Sequence, residues 1–305
     1  MLLRTAWCSL ILLLLLHVRA SFGLPKDSGL IQLIPPQSSL IAGMTSSAAQ
    51  GTTKSFLLVT HENTMDLKDF YALTGGDATR QLKALVFVTG ARREAAPNEH
   101  SLLVNGQFDR DAIFRFSSAG ARRGSYRGIP VLVVPPFERE QEAFDEVRWL
   151  AIPEGNIAIF GSLGSVQREL DRWIERATPD PILLGELRRL QGHDDSWCIL
   201  LARDREGVAE AVLGKLDASL AAVAHEGGLI GVGIRFGLKV EIAIAADPYP
   251  VRSSKETNDS AGLPSTHGMH FLSTAPSEST GAEAVVKVSR QRYEKWIGEF
   301  DGPGH

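Results

Sequence analysis

Residues with the chemistry to bind a metal or attack a substrate are scattered through this 305-residue chain, and their spacing decides what each can do. His61-Glu62 and His225-Glu226 both open like a zinc-protease helix, where two histidines one turn apart hold the metal and the glutamate is the base. Neither is followed by the second histidine. His267-Gly-Met-His270 is the only close histidine pair, but it lies in a low-complexity stretch with no cysteine nearby, which fits a weak or adventitious site at most. Asp109-Arg-Asp111 begins like a calcium loop without its glycine or closing glutamate, and helix capping explains it better. Cys198 could be a nucleophile or a dimer-forming thiol, but Trp197, Ile199 and Leu200 around it make it a small buried hydrophobe. The glycines at 228, 231, 233 and 237 miss the dinucleotide fingerprint because Phe236 stands where its third glycine belongs, so they read as tight sheet packing. There is no P-loop and no Gly-x-Ser-x-Gly elbow. The sequence therefore assigns no catalytic residue, no cofactor-binding residue and no metal ligand. It implies no cofactor and leans away from an enzyme.

The first twenty residues read as an export signal. Arg4 gives a positive start, Leu10 to Leu16 an apolar core, and Val18-Arg19-Ala20 a cleavage site, with a second cut available at residue 23. The apolar run is far shorter than the ~20 residues of a spanning helix, so cleavage is expected to leave no stable membrane span. Removing residues 1–20 takes away Arg4 and Arg19 and no acid, which changes 32 basic against 36 acidic side chains to 30 against 36. That acidic balance argues against a general affinity for nucleic acid. Of the two cysteines only Cys198 would remain, so no internal disulfide can form and a hydrophobic core must carry stability.

The remaining chain divides by composition and periodicity. Residues 21–54 form a lead-in, with a helical turn at Leu30 to Ile34 stopped by Pro35-Pro36 and a strand from Ser39 to Met44. Residues 55–177 form a first α+β unit. It has strands at Phe56–Thr60, Leu82–Thr89 and Ser101–Phe108, a short helix at Asp66–Leu73, and a helix after Asp109. Arg122 to Gly128 reads as a turn, and a hairpin follows about Pro153-Glu-Gly-Asn156. The best-specified element is the next helix, with Leu163, Val166, Leu170, Trp173, Ile174 and Ala177 on one face and Ser162 as its cap. Trp173 is the expected core anchor. Residues 178–194 are a connecting helix, and residues 195–247 a second, weakly similar unit. That unit holds a strand at Trp197–Ala202, a helix at Val208–His225 and a hairpin about Gly237. Residues 248–281 have the composition of a disordered linker, and residues 282–300 read as a strand and helix that dock back on the core. The fold class is α+β, a mostly antiparallel sheet with helices packed on it.

From Phe56-Leu-Leu-Val-Thr-His-Glu-Asn63 through Gly106-Gln-Phe-Asp109, Tyr126-Arg-Gly-Ile-Pro-Val-Leu132, Ser165-Val-Gln-Arg-Glu-Leu-Asp171 and Trp197-Cys198, the chain resembles a group of uncharacterised exported bacterial proteins. The Gly-x-Phe-Asp turn followed by Tyr-x-Gly is also similar to wider domain-of-unknown-function families of exported proteins. The resemblance implies export and a mixed α/β fold, and it assigns no catalytic residue. The expectation is a non-catalytic binding or structural protein of the periplasm or cell envelope, whose partner is a protein or envelope component. The alternatives are a hydrolase with a site assembled from scattered residues, and a membrane-tethered sensor if the N-terminal segment stays uncut.

Overall fold

Continuous apolar runs such as Ala84-Leu-Val-Phe-Val88 require a strand covered on both faces, and the sheet is built that way. The computed structural model describes residues 29–36, 38–45, 61–74, 82–90, 99–116, 121–135, 147–190, 195–201, 229–247 and 282–298. The expected strand at residues 56–60, the helix at 208–225, the linker at 248–281 and the export signal lie outside them.

Among the described residues, eleven strands form one sheet: β1 (Leu40–Thr45), β2 (Ala84–Thr89), β3 (His100–Asn105), β4 (Arg122–Tyr126), β5 (Ile129–Val134), β6 (Arg148–Glu154), β7 (Ile157–Ser162), β8 (Ser196–Leu201), β9 (Leu229–Phe236), β10 (Lys239–Asp247) and β11 (Ala282–Ser289). Their order is β11-β10-β9-β8-β1-β2-β3-β7-β6-β5-β4. Every neighbouring pair is antiparallel. The protein is an α+β fold on a mostly antiparallel sheet, as its alternating strands and helices imply. Strands from residues 55–177 and from 195–247 share this sheet, with β1 of the lead-in between them.

Strand alternation divides the core into two layers. On the front face, α1 (Leu30–Leu33), α4 (Leu163–Ile174) and α5 (Pro181–Arg189) cover Ile41, Val86, Leu103, Ile159 and Trp197. On the back, α2 (His61–Thr74) and α3 (Arg110–Phe116) cover Phe87, Leu102, Leu132 and Phe160, and α6 (Arg290–Gly298) lays Tyr293 and Trp296 over β9 and β10. Gly231 of β9 faces α5, where a Cβ would sit 3.1 Å from Glu186 Oε2 and 3.4 Å from Leu190, so the glycine lets the helix end pack close against the strand. Cys198 is buried with Leu40, Ala42 and Leu200 on the back.

Local chemistry sets the element ends. The Asp109 carboxylate accepts from Ala112 N at 2.9 Å and caps α3, and Asp180 accepts from Ile182 N at 2.8 Å with Pro181 opening α5. Three expectations change. Arg122 to Tyr126 is a strand, not a turn, and the reversal is confined to Arg127-Gly128, both at positive φ (46° and 86°), as a two-residue hairpin requires. Ser162 does not cap α4 through its side chain; its hydroxyl donates to Ser165 Oγ instead, at 3.1 Å. The helix also stops at Ile174, short of Ala177. Arg176 turns left-handed (φ 49°) and the Ala177 N–H reaches back to Arg172 O at 2.9 Å, a Schellman closure that satisfies the terminal carbonyls.

The apolar stripe of α4 is correspondingly narrower than its sequence implies. Val166 and Leu170 are fully buried, Trp173 only partly, and Leu163 and Ile174 are exposed at 41% and 37%. Trp173 is therefore a flank, and Leu170 is the anchor. Leu170→Ala should cost about 2–5 kcal/mol in urea unfolding, and Trp173→Ala clearly less than Leu170→Ala. A larger loss at Trp173 would contradict this packing.

Candidate functional site

The front of β3 and the first turns of α4 hold the polar residues that the core does not need for packing. Ser101 alternates to the front with Leu103, while its neighbour His100 faces the back with Leu102. On α4, residues 165, 166, 169 and 170 share the side that meets the sheet, and all four are buried, as is Ser162 just before the helix. One of them is a carboxylic acid. Glu169 is fully buried, and its Oε1 accepts a hydrogen bond from the hydroxyl of Ser101, itself 1% exposed. Glu169 Oε2 has no hydrogen-bond partner among the described residues.

Burial sets the chemistry of this acid. Loss of water around the carboxyl pushes its pKa from 4.5 up to about 8, against the smaller opposing pulls of the Ser101 hydroxyl, Arg168 and His100. At neutral pH Glu169 is therefore mostly protonated, and the Ser101–Glu169 pair is a neutral hydrogen bond rather than a buried charge.

A charged rim adjoins it. Arg168 binds Glu99 through two contacts, at 2.9 and 2.7 Å, and also donates to Ser165 Oγ at 3.2 Å. Further along α4, Asp171 accepts from Tyr126 at 3.1 Å and from Arg127 at 2.6 Å, fastening the β4–β5 turn to the helix. On the back face, Asp69 of α2 pairs with Arg148 of β6 at 2.8 Å, with side chains 5% and 11% exposed.

Chemically, the pair combines a serine hydroxyl with a proton-carrying carboxyl, the parts of an acid–base couple. The carboxyl accepts directly from the serine with no histidine between them, so this is not the serine–histidine–acid relay of a triad.

The residues singled out from sequence do not gather here. Asp109 caps α3 and Asp111 is exposed in its first turn. Cys198 lies four strands away from β7, in the buried back layer. His61 and Glu62 open α2, and residues 225, 226, 267 and 270 lie outside the described residues. Among the described residues, no group of three or more His, Cys, Asp or Glu could hold a metal ion, and no helix is long and apolar enough to cross a membrane.

Glu169 escaped the sequence reading, although a signal exists. It lies three residues after Val166 and one before Leu170, inside the apolar stripe, and Ser165 precedes it by one turn. A carboxyl at that phase must meet a polar group on the facing strand.

Fold and site together define an α+β protein whose described strands form one sheet, with a sealed polar contact between that sheet and α4. Comparison with known proteins adds no closer identity. No protein-family model matches the chain, and no curated protein matches it. Among solved structures, crystal form I of TP0453 aligns at 12% identity and a TM-score of 0.45, over 92% of this chain and 100% of that one. Crystal form IV aligns at 11% and 0.43, over 87% and 96%, and form III at 12% and 0.41, over 71% and 78%.

Proposed function

We propose that this chain is an exported protein of the periplasm or cell envelope with a binding or structural role. The observation that carries the non-catalytic reading is the sealing of the Ser101–Glu169 pair, 1% and 0% exposed beneath α4. A reactive couple has to meet its substrate, whereas a buried, bonded pair fixes how a helix seats on a sheet. The positive start at Arg4, the Leu10–Leu16 run and Ala20 support export.

A hydrolase is the second reading, because the Ser101 hydroxyl donates to a carboxyl that, once ionised above its raised pKa, could take the serine proton. One experiment separates the readings. Native protein recovered from host cell fractions is treated with a fluorophosphonate probe, and its peptides are mapped by mass spectrometry. The proposal expects an envelope or periplasmic chain beginning at Ser21 or Leu24, with Ser101 unlabelled. A cytosolic chain with its first residues intact would refute export. Membrane-bound material retaining Leu10 to Leu16 would point to a tethered sensor. Labelling at Ser101 that disappears in Glu169→Gln would establish the hydrolase.

A further inference from the structure

The two ends of the sheet are finished differently. At one end β4 has five residues, with Arg122 and Arg123 exposed and Arg123 bonded to Phe114 O at 2.8 Å. A short edge carrying charge is how proteins prevent another strand from adding on. At the other end β11 has eight residues, contains no proline, and keeps an unbroken register with β10 from Lys239↔Ser289 to Ala246↔Ala282. Among the described residues β10 is its one strand neighbour. On its front face Val285 is 55% exposed, beside Ala243 of β10. The tethering helix α6 lies on the other face, where Val288, Tyr293 and Trp296 are buried together. Such an edge is long, regular and apolar at its middle, the form that accepts a partner strand.

We propose that the outer edge of β11, which no described strand covers, docks a second copy of this chain, the two β11 strands pairing antiparallel about a twofold axis at Val285. The sequence Glu283-Ala-Val-Val-Lys287 specifies that occupant, because it is complementary to its own reversal. With the axis at Val285, Glu283 stands opposite Lys287 of the other copy, Ala284 opposite Val286, and Val285 opposite itself. Each opposite-charge pairing therefore occurs twice, as an isologous contact demands.

Moving the axis to Ala284 or Val286 leaves Glu283 or Lys287 facing valine and forfeits both charge pairs. Residues facing each other must share a face of the sheet, so half-residue registers are closed. Within its own chain Lys287 binds Glu241 of β10 at 2.7 Å, which keeps it on the front face with Val285. The joined strands would make two eleven-stranded sheets continuous.

Sedimentation velocity on the purified chain, at concentrations rising to about 100 µM, tests the idea by mass action. The expected result is a monomer–dimer equilibrium that Val285→Lys weakens at least about tenfold, by setting two like charges on the axis. The position is exposed, so the variant should keep the thermal midpoint of the parent, and that midpoint is measured alongside. Val285→Cys supplies an independent reading. Directly opposed residues in a strand pair have Cβ atoms about 4.5–5.5 Å apart, close to disulfide reach, so mild oxidant should cross-link this variant far faster than Leu238→Cys on the exposed β9–β10 turn. A monomer throughout, a dimer indifferent to Val285→Lys, or equal cross-linking at the two positions would each overturn the proposal.

Discussion

Glu169→Gln is expected to make the protein more stable at alkaline pH and to flatten the dependence of its stability on pH. The folded carboxyl holds its proton up to about pH 8, while the unfolded one releases it near 4.5. Below 4.5 both states are protonated and the acid contributes no penalty. Between the two values the folded state retains a proton that the unfolded state has lost, so stability falls as pH rises through that window. At full ionisation the loss is on the order of 4–5 kcal/mol, since each tenfold change in proton affinity is worth about 1.4 kcal/mol. Glutamine keeps an oxygen for the Ser101 hydroxyl and carries no charge, so the substitution removes the slope. Urea unfolding of parent and variant at about pH 5 and about pH 9 reads this directly, with the two curves close at the lower pH and separated at the higher. Parallel profiles would mean that the carboxyl is solvated, contrary to its complete burial.

Gly43→Ala should cost the sheet more stability than an ordinary added methyl. Gly43 lies in β1 directly opposite Trp197 of β8, and the indole is laid across its backbone. A Cβ there would stand 2.3 Å from both Cε2 and Cζ2 of the ring. Trp197 is 2% exposed and has nowhere to swing, and β1 is held by a strand on each side. Overpacking of a closed core costs about 1–3 kcal/mol in ordinary cases, and a clash with a fixed aromatic ring belongs at or above the top of that range. Thermal unfolding of Gly43→Ala, Trp197→Leu and the double variant provides the check. The smaller side chain removes the obstacle, so the double variant should be more stable than the sum of the single losses predicts. Simple additivity would show that the ring can move aside.

Periodicity made much of this fold legible, and packing context hid the rest. The hairpins at Pro153–Asn156 and Gly237, the Asp109 cap and the burial of Cys198 follow from residue types within a few positions of one another. The strand at Arg122–Tyr126 does not, because its arginines and glycine have low strand preference and only β5 beside it makes it a strand. Trp173 misled for a related reason. Helical spacing places it on the apolar stripe, but how deep a stripe residue sits depends on how the helix is tilted and rolled on the sheet. The Ser101–Glu169 contact joins residues distant in sequence, and neither residue alone announces the other. Only the register of β3 against α4 brings them together.

The position of β1 sets a constraint on how the molecule can be assembled. Its two neighbours come from far apart in the chain, with Leu40 beside Thr89 on one side and Leu200 on the other. Strands β2 to β7 can pair among themselves, and so can β8 to β11, but among the described residues the two sets are joined edge to edge through these six residues alone. The lead-in strand thus acts as a zip slider between two half-sheets. Closing it requires a long loop to be gathered before any contact rewards the loss of chain entropy, which makes that step a natural rate limit in folding. Until β1 is seated, each half presents an open central edge, and the same six residues that complete the native sheet are the ones whose absence would leave both halves free to pair with the wrong strand.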